Sequence, residues 1–438
     1  MKNKYLLIAF FNIFILTSLS FAKELTLSKA YALALENSNK LNSSELNLDS
    51  KKEDLNQVKA NLYPQISGEI SYSNRKSHFN ELLNRTADLE RERSLDYSLK
   101  LNQTLFDAEV YSKINLEKKR LKLYEVNVEK DKKDLLLDIV DKYMKVFKIK
   151  NNIDLLTSEM KYYKYINSAA EKQIKLNLIN KMDLLESQVN YNMSVVKLKK
   201  EEKLLEISMQ DLKKTIEFSN FSMPKINYAI SESKLLELNE SISKDLYKNS
   251  IEMKEALLSK EFSQEEVKNS KTAFVPKLSL NASYTKYDST DLSSDYEDTS
   301  RIIVSLKIPI YSGGLKLSKL ESSKLKYLAS LEDMKHVEKT TSTMFDEYRN
   351  QFNSSLQLVL LSQNLIKSGE LYLKSIEQGF SRGLKSLIDL YEAKVKLNEI
   401  KSDYIESTYT LIESYTNLVI LSGNYSKILL LDDLIVSK

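Results

Sequence analysis

Any chemistry in this chain would have to be run by carboxylates, lysines and tyrosines. Cysteine is absent from its 438 residues and histidine occurs only as His78 and His336, which removes disulfides, thiolate metal sites and most nucleophilic triads. Neither histidine has a second one at ligand spacing, so no metal site and no cofactor is expected and no catalytic group is identified. The spacing that stands out is Asp389 with Glu392, three apart and therefore on one face of a helix. Two carboxylates so placed can complement the positive end of a helix dipole. Repeated around a symmetry axis, they would instead make an electronegative constriction that binds cations and repels anions. Asp183 and Glu186 repeat the pattern earlier in the chain. The 26 tyrosines fall mostly at helical seam positions, where they read as core.

The elements that carry these residues are set by a scarcity of helix breakers. The chain has 7 glycines and 4 prolines, whereas an average soluble chain devotes about 12% of its residues to them. That excludes a Rossmann or P-loop enzyme, a Gly-rich β-sandwich and a Pro-rich linker. A 42% hydrophobic content with a net charge of +4 excludes disorder, and the charge gives no case for nucleic acid as a partner. No proline lies between Pro64 and Pro224, and Ile114, Leu121, Val128 and Leu135 follow one another at intervals of seven. A single helix from Asp107 to Ala170 would have 64 residues and run roughly 96 Å at about 1.5 Å per residue. At the N-terminus, basic Met1-Lys2-Asn3-Lys4, an apolar run from Tyr5 to Leu16 and Ser20-Phe21-Ala22 describe a secretory signal peptide over 1–22.

An internal repeat divides the remainder. Tyr63-Pro64-Gln65-Ile66-Ser67 recurs as Val275-Pro276-Lys277-Leu278-Ser279 at an offset of 212, and Met182-Asp183-Leu184-Leu185-Glu186 as Ile388-Asp389-Leu390-Tyr391-Glu392 at an offset of 206. The first repeat is expected over 23–216, with strands at about 63–75 and 94–106, a long helix at about 107–170 and a returning helix at about 182–216. A connector follows at 217–242. The second repeat spans 243–423, with strands at about 276–287 and 300–310, a long helix at about 313–376 and a returning helix at about 386–421, before a tail at 424–438.

The four strand segments alternate apolar and polar residues, as in Ile66, Gly68, Ile70 and Tyr72 against Gln65, Ser67, Glu69 and Ser71. An ordinary amphipathic hairpin would show the same alternation. Four such segments behind a signal peptide favour membrane strands, with Lys76–Arg93 and Lys286–Ser300 as the outward loops. Open edges are not tolerated in lipid, and about eight strands is the practical minimum for a barrel. Four strands must therefore oligomerise, and three copies would supply twelve.

The order helix, strand, strand, long helix, returning helix, duplicated once, resembles the TolC family of outer-membrane efflux and secretion channels. The residues that carry the resemblance are the two helix-to-strand junctions quoted above, with Leu105-Phe106-Asp107 and Pro309-Ile310-Tyr311-Ser312-Gly313-Gly314 at the strand-to-helix junctions. The resemblance implies a mainly α fold with membrane β-strands: a homotrimeric α-barrel crossing the periplasm, continuous with a twelve-stranded transmembrane β-barrel in the cell outer membrane. It implies passive conduction rather than catalysis, and as partners a periplasmic adaptor, an inner-membrane transporter of RND or ABC type, and outer-membrane lipid. Asp389 and Glu392 match the acidic residues lining the closed periplasmic aperture. Lys385 matches a basic residue that holds the helix tips shut, more often arginine, and Phe380 an aromatic one. For Leu178, Gly383 and Leu384 the resemblance implies docking of the adaptor's helical hairpin. Gly383 suits left-handed dihedrals at a helix-helix turn, with Asn177 the next best residue at the first tip. The other reading of the heptads is a periplasmic coiled-coil scaffold or adaptor without a barrel.

Overall fold

Two helices run without interruption for 68 and 67 residues, the first without a glycine or proline and the second through Gly369 and Gly379. In chain order the elements are β1 (Lys23–Glu24), α1 (Leu27–Asn37), α2 (Asn39–Ala60), β2 (Gln65–Ser77), β3 (Glu90–Phe106), α3 (Ala108–Lys175) and α4 (Lys181–Ile216). They continue with β4 (Phe221–Ser222), α5 (Ile251–Thr272), β5 (Lys277–Ser289), β6 (Thr299–Lys307), α6 (Leu315–Ser381) and α7 (Leu387–Leu421). This computed structural model describes residues 23–77, 90–224, 246–289, 298–423, 425–428 and 431–432. The expected signal peptide, His78 and most of the expected connector lie outside the described residues. Lys40–Asp131 with Lys248–Ser342 form one compact unit, and Met1–Asn39, Lys132–Tyr247 and Thr343–Lys438 another.

The first unit holds a four-stranded antiparallel sheet in the order β2-β3-β5-β6. Register aligns Gly68 with Leu99, Leu99 with Tyr284, and Ala282 with Ile302. Because side chains alternate across the pleat, one face carries Ile66, Ile70, Tyr72, Leu99, Tyr284 and Val304. The other carries Ser67, Glu69, Ser98, Lys100, Ser283 and Arg301, with Lys100 donating to Glu69 across the strands at 2.7 Å.

Strand ends differ from expectation in two places, each for a physical reason. Lys76 and Ser77 belong to β2 and 90–93 to β3, not to the outward loop, with Asn74 opposite Arg93 and Lys76 opposite Arg91. The period-two signal persists there as alternating charge, Glu90-Arg91-Glu92-Arg93, after the alternation in hydropathy has ended. At the other limit β6 stops at Lys307 rather than near 310, because Pro309 has no N–H to donate to a ladder.

Helical contacts in this unit follow the order of the strands. Lys51 lies over the Tyr124 ring at 5.5 Å, joining α2 to α3, and Lys254 and Lys119 pair with Glu129 and Glu261 at 2.7 Å, joining α3 to α5. The buried Ser270 and Ser323 hydroxyls, 2.8 Å apart, join α5 to α6. Where α3 leaves the sheet, Lys277 of β5 reaches Asp107 at 3.0 Å and Glu109 at 2.6 Å. Lys113 and then Lys277 hold the Glu109 carboxyl down at about 2.

In the second unit the core is built from α1, α3, α4, α6 and α7, with Leu27, Tyr143, Leu212, Phe352, Tyr404 and Tyr415 almost wholly buried. Tyr143 donates its hydroxyl to the Leu25 carbonyl at 2.8 Å, and that burial pushes the phenol pKa up. β1 pairs in parallel with β4, while Asp432 near the C-terminus accepts from the Leu27 N–H at 2.8 Å, capping α1. Helix neighbours run α4–α3–α7–α6. Ser187 of α4 donates to Asn167 of α3 at 3.0 Å, and buried Asn398 of α7 donates to buried Glu159 of α3 at 2.8 Å. Lys401 of α7 pairs with Glu370 of α6 at 2.8 Å.

Candidate functional site

The expected site residues lie at the two turns where long helices reverse, and both turns are built alike. At the first, the Leu178 N–H donates to the Gln173 carbonyl at 3.0 Å and the Asn177 N–H to Ile174 at 3.1 Å. At the second, the Leu384 N–H donates to Gly379 at 2.8 Å and the Gly383 N–H to Phe380 at 3.0 Å. This wrap of the last carbonyls requires a left-handed residue, supplied by Asn177 with φ 55° and Gly383 with φ 74°. The long helices therefore run on to Lys175 and Ser381, and each reversal takes only five residues.

A capping box starts each returning helix. Asp183 N–H donates to the Asn180 side chain at 2.8 Å, and Asn180 N–H to the Asp183 carboxylate at 3.4 Å. In the second tip Asp389 N–H donates to Ser386 Oγ at 3.1 Å, while Ser386 N–H and Oγ both donate to Asp389 Oδ2 at 2.8 Å. The Ser386 N–H is the largest reason that the Asp389 carboxyl sits below the usual carboxylate range. Neither Asn180 nor Ser386 was singled out from the sequence, although Asn-x-x-Asp and Ser-x-x-Asp ahead of an apolar run are capping-box signals.

The structure brings Lys385 and Asp389 together, with Nζ 3.5 Å from Oδ1. Lys385 reaches that position by passing over Gly379, where an added Cβ would stand only 2.8 Å from Lys385 Cγ. Glu392 is exposed one turn further along α7. Phe380 is half-buried against a tip core of Tyr163, Ile166, Leu373, Ile376, Leu390 and Tyr391, and lines a cavity of about 420 Å³ with Tyr162, Tyr165, Ala169, Gln173 and Glu377. The Tyr163 and Tyr391 rings are 5.4 Å apart, and burial pushes both phenols up to about 12. Leu178 and Leu384, at equivalent places in the two turns, are among the most exposed apolar side chains of this unit, at 68% and 77%. Among the described residues no group of carboxylates or histidines is arranged to hold a metal.

The buried Glu159–Asn398 link between α3 and α7 was also missed. A single Glu and a single Asn on helices 239 positions apart give no local signal.

The sequence profile of the outer membrane efflux protein family matches residues 30–215 and 242–424. Outer membrane protein TolC of Salmonella enteritidis is 20% identical over 434 residues, spanning 94% of this chain and 86% of TolC. The proteases secretion protein PrtF of Dickeya chrysanthemi is 19% identical over 425 residues, spanning 93% of this chain and 90% of PrtF. Among solved structures, the Campylobacter jejuni CmeC outer membrane channel has the same fold, with a TM-score of 0.76, 18% identity and coverage of 94% of this chain and 90% of that one. Because the matched profile takes in most of the chain and both tips, the chain belongs to the outer membrane efflux protein family and is an outer-membrane efflux or secretion channel, not an enzyme.

Proposed function

We propose that three copies close into a ring, with a twelve-stranded β-barrel in the outer membrane and a twelve-helix α-barrel in the periplasm, and that the ring conducts substrates passively to the exterior. The observation that carries this reading is the pair of unsatisfied edges. The sheet ends in β2 on one side and β6 on the other, and open strand edges are not tolerated in lipid. In the helical unit the outer members are α4 and α6. Each leaves an apolar stripe exposed, Met182, Leu185, Val189 and Val196 on α4 and Leu358, Leu361, Leu365 and Tyr372 on α6. Stripes near heptad spacing belong against a second helix. At both levels the edge elements come from opposite halves of the chain, so a head-to-tail contact of β6 on β2 and of α6 on α4 closes a ring without a dyad.

At the tips, Asp389 and Glu392 from three copies would form the electronegative constriction, with Lys385 and Phe380 holding the tips closed. Leu178, Gly383 and Leu384 would present the docking surface for a periplasmic adaptor. That adaptor links the channel to an inner-membrane transporter of RND or ABC type, and PrtF, named for protease secretion, supports including protein substrates. Native mass spectrometry of the detergent-extracted protein should give three copies, and a stable monomer would defeat the ring. In planar bilayers, D389N/E392Q should weaken block by divalent cations while D183N/E186Q leaves it unchanged. Equal block in all three proteins would remove the gate assignment.

A further inference from the structure

A polar cavity of about 270 Å³ lies where α4 and α7 flank α3. Its polar walls follow from helical spacing. Asn152 and Glu159 stand seven apart on α3, Asn398 and Ser402 four apart on α7, and Lys197 and Glu201 four apart on α4, so each pair shares one face of its helix. Seams between helices are normally apolar, and a polar residue there fixes register at a cost in stability. Register accounts for the bond that Asn398 donates to Glu159 at 2.8 Å, but not for the other groups of the cavity. Glu159 is buried. Among the described residues its ion pair is with Lys197, a mostly exposed side chain whose Nζ stands 3.9 Å from Oε1, beyond hydrogen-bond reach. Burying a charge is costly unless it is both paired and hydrogen-bonded. Asn152 Oδ1 is likewise buried, with no hydrogen-bond partner among the described residues. With Glu399, three glutamates line the cavity against one lysine, an excess of two negative charges. Nearby bases of α7 are committed elsewhere: Lys394 lies over the Tyr162 ring at 5.0 Å, Lys396 over the Tyr372 ring at 5.9 Å, and Lys401 pairs with Glu370 at 2.8 Å.

We propose that this cavity binds a short aliphatic diamine in its doubly protonated form. Two ammonium groups match the excess charge. They donate hydrogen bonds and accept none, whereas the carboxylates and the Asn152 carbonyl accept and donate none, and such charge-assisted bonds are the strong ones. The methylenes between the two charges would lie along Leu155, Leu156 and Val395, which complete the walls, as the apolar stems of lysines lie along apolar surface. A bare metal ion fits less well, since among the described residues no group of carboxylates is arranged to hold one. The site lies within a single chain and does not depend on closure of a ring. It is also separate from the proposed constriction, for Asn398 stands nine residues beyond Asp389 on α7, about 14 Å at about 1.5 Å per residue.

The full chain in a neutral detergent is titrated calorimetrically with putrescine, with butylamine and with magnesium chloride. It carries D389N/E392Q, so that cation binding at the proposed constriction does not enter the reading. Putrescine should bind more tightly than the singly charged butylamine by about tenfold or more, and magnesium at the same concentration should not displace it. E159Q should weaken putrescine binding by about tenfold or more. The control is E202Q, since Glu202 is exposed and pairs with Lys199 at 2.6 Å; it should leave the affinity unchanged. Far-UV circular dichroism reports whether each variant folds, and E201Q/E399Q, altered only on the less buried walls, decides the matter if E159Q does not. No binding of putrescine at millimolar concentration, equal affinity for butylamine, displacement by magnesium at the same concentration, or unchanged affinity in a folded E159Q or in E201Q/E399Q would each overturn the site.

Discussion

Replacing Gly379 by alanine should make the protein slightly more stable and the proposed gate less secure. The missing side chain at Gly379 gives Lys385 its path: an added Cβ would lie 2.8 Å from Lys385 Cγ and 3.4 Å from its Cβ. Gly379 has helical dihedrals in the last turn of α6, so alanine is intrinsically better there, by about 0.5 kcal/mol in a terminal turn against about 1 in a helix interior. The lysine stem must swing aside, and its 3.5 Å contact with Asp389 joins two solvent-exposed groups, too weak a pair to offset that gain. Thermal unfolding of the purified channel should rise by about 1 °C, while single-channel conductance in planar bilayers rises as far as it does in K385A. K385A itself should leave the unfolding midpoint where it was. If G379A is instead destabilised, the lysine cannot yield as reasoned. If K385A opens the channel and G379A does not, the glycine is not what places the latch.

Three further outcomes are expected. S386A and N180A each remove an N-cap, and each should lower stability by about 1 kcal/mol, read as similar shifts in denaturant midpoint because the two tips share one construction. Glu109 has its folded pKa lowered from 4.5 to about 2, so the stability it lends is complete above about pH 5 and is lost as pH falls towards 2. Removing one of its two lysine partners in K277M should shrink that acid-side loss by about 1 kcal/mol after allowance for solvent screening, measured as the unfolding midpoint between pH 6 and pH 3. Phe352, with no exposed surface and its ring 5.9 Å from that of Tyr415, should cost about 3–5 kcal/mol as F352A, checked by urea unfolding.

Much of the architecture could be read from local pattern. Breaker-free heptads foretell α3, the internal repeat carries that reading to α6 in spite of Gly369 and Gly379, and period-two hydropathy foretells most of the sheet. Gly383 acts through its own dihedrals, so its turn was likewise visible, whereas the strand expected to about 310 ran past the stop that Pro309 imposes at Lys307. What escaped detection depends on tertiary neighbours or on another kind of periodicity. The extension of β3 through Glu90–Arg93 is written in charge, not hydropathy, and the Glu159–Asn398 link exists only because α3 and α7 pack together. At the candidate gate the sequence yielded the carboxylate spacing but not that Ser386 engages Asp389 locally. Asp389 thus anchors its helix whatever charge it would lend to the proposed constriction.

The two unlike edges of each protomer have a consequence for cells that carry a damaged copy. A chain defective only along β6 and α6 keeps a sound β2 and α4, so it can still be accepted by one neighbour while offering nothing to the next. Such a subunit terminates the arc it joins and strands its sound companions. If, in the proposed three-copy ring, half the chains were of this kind and mixed freely, only about one ring in eight would assemble wholly from intact members, as expected where every contact is heterologous and closure needs all of them. Lesions on either seam should therefore behave as dominant alleles.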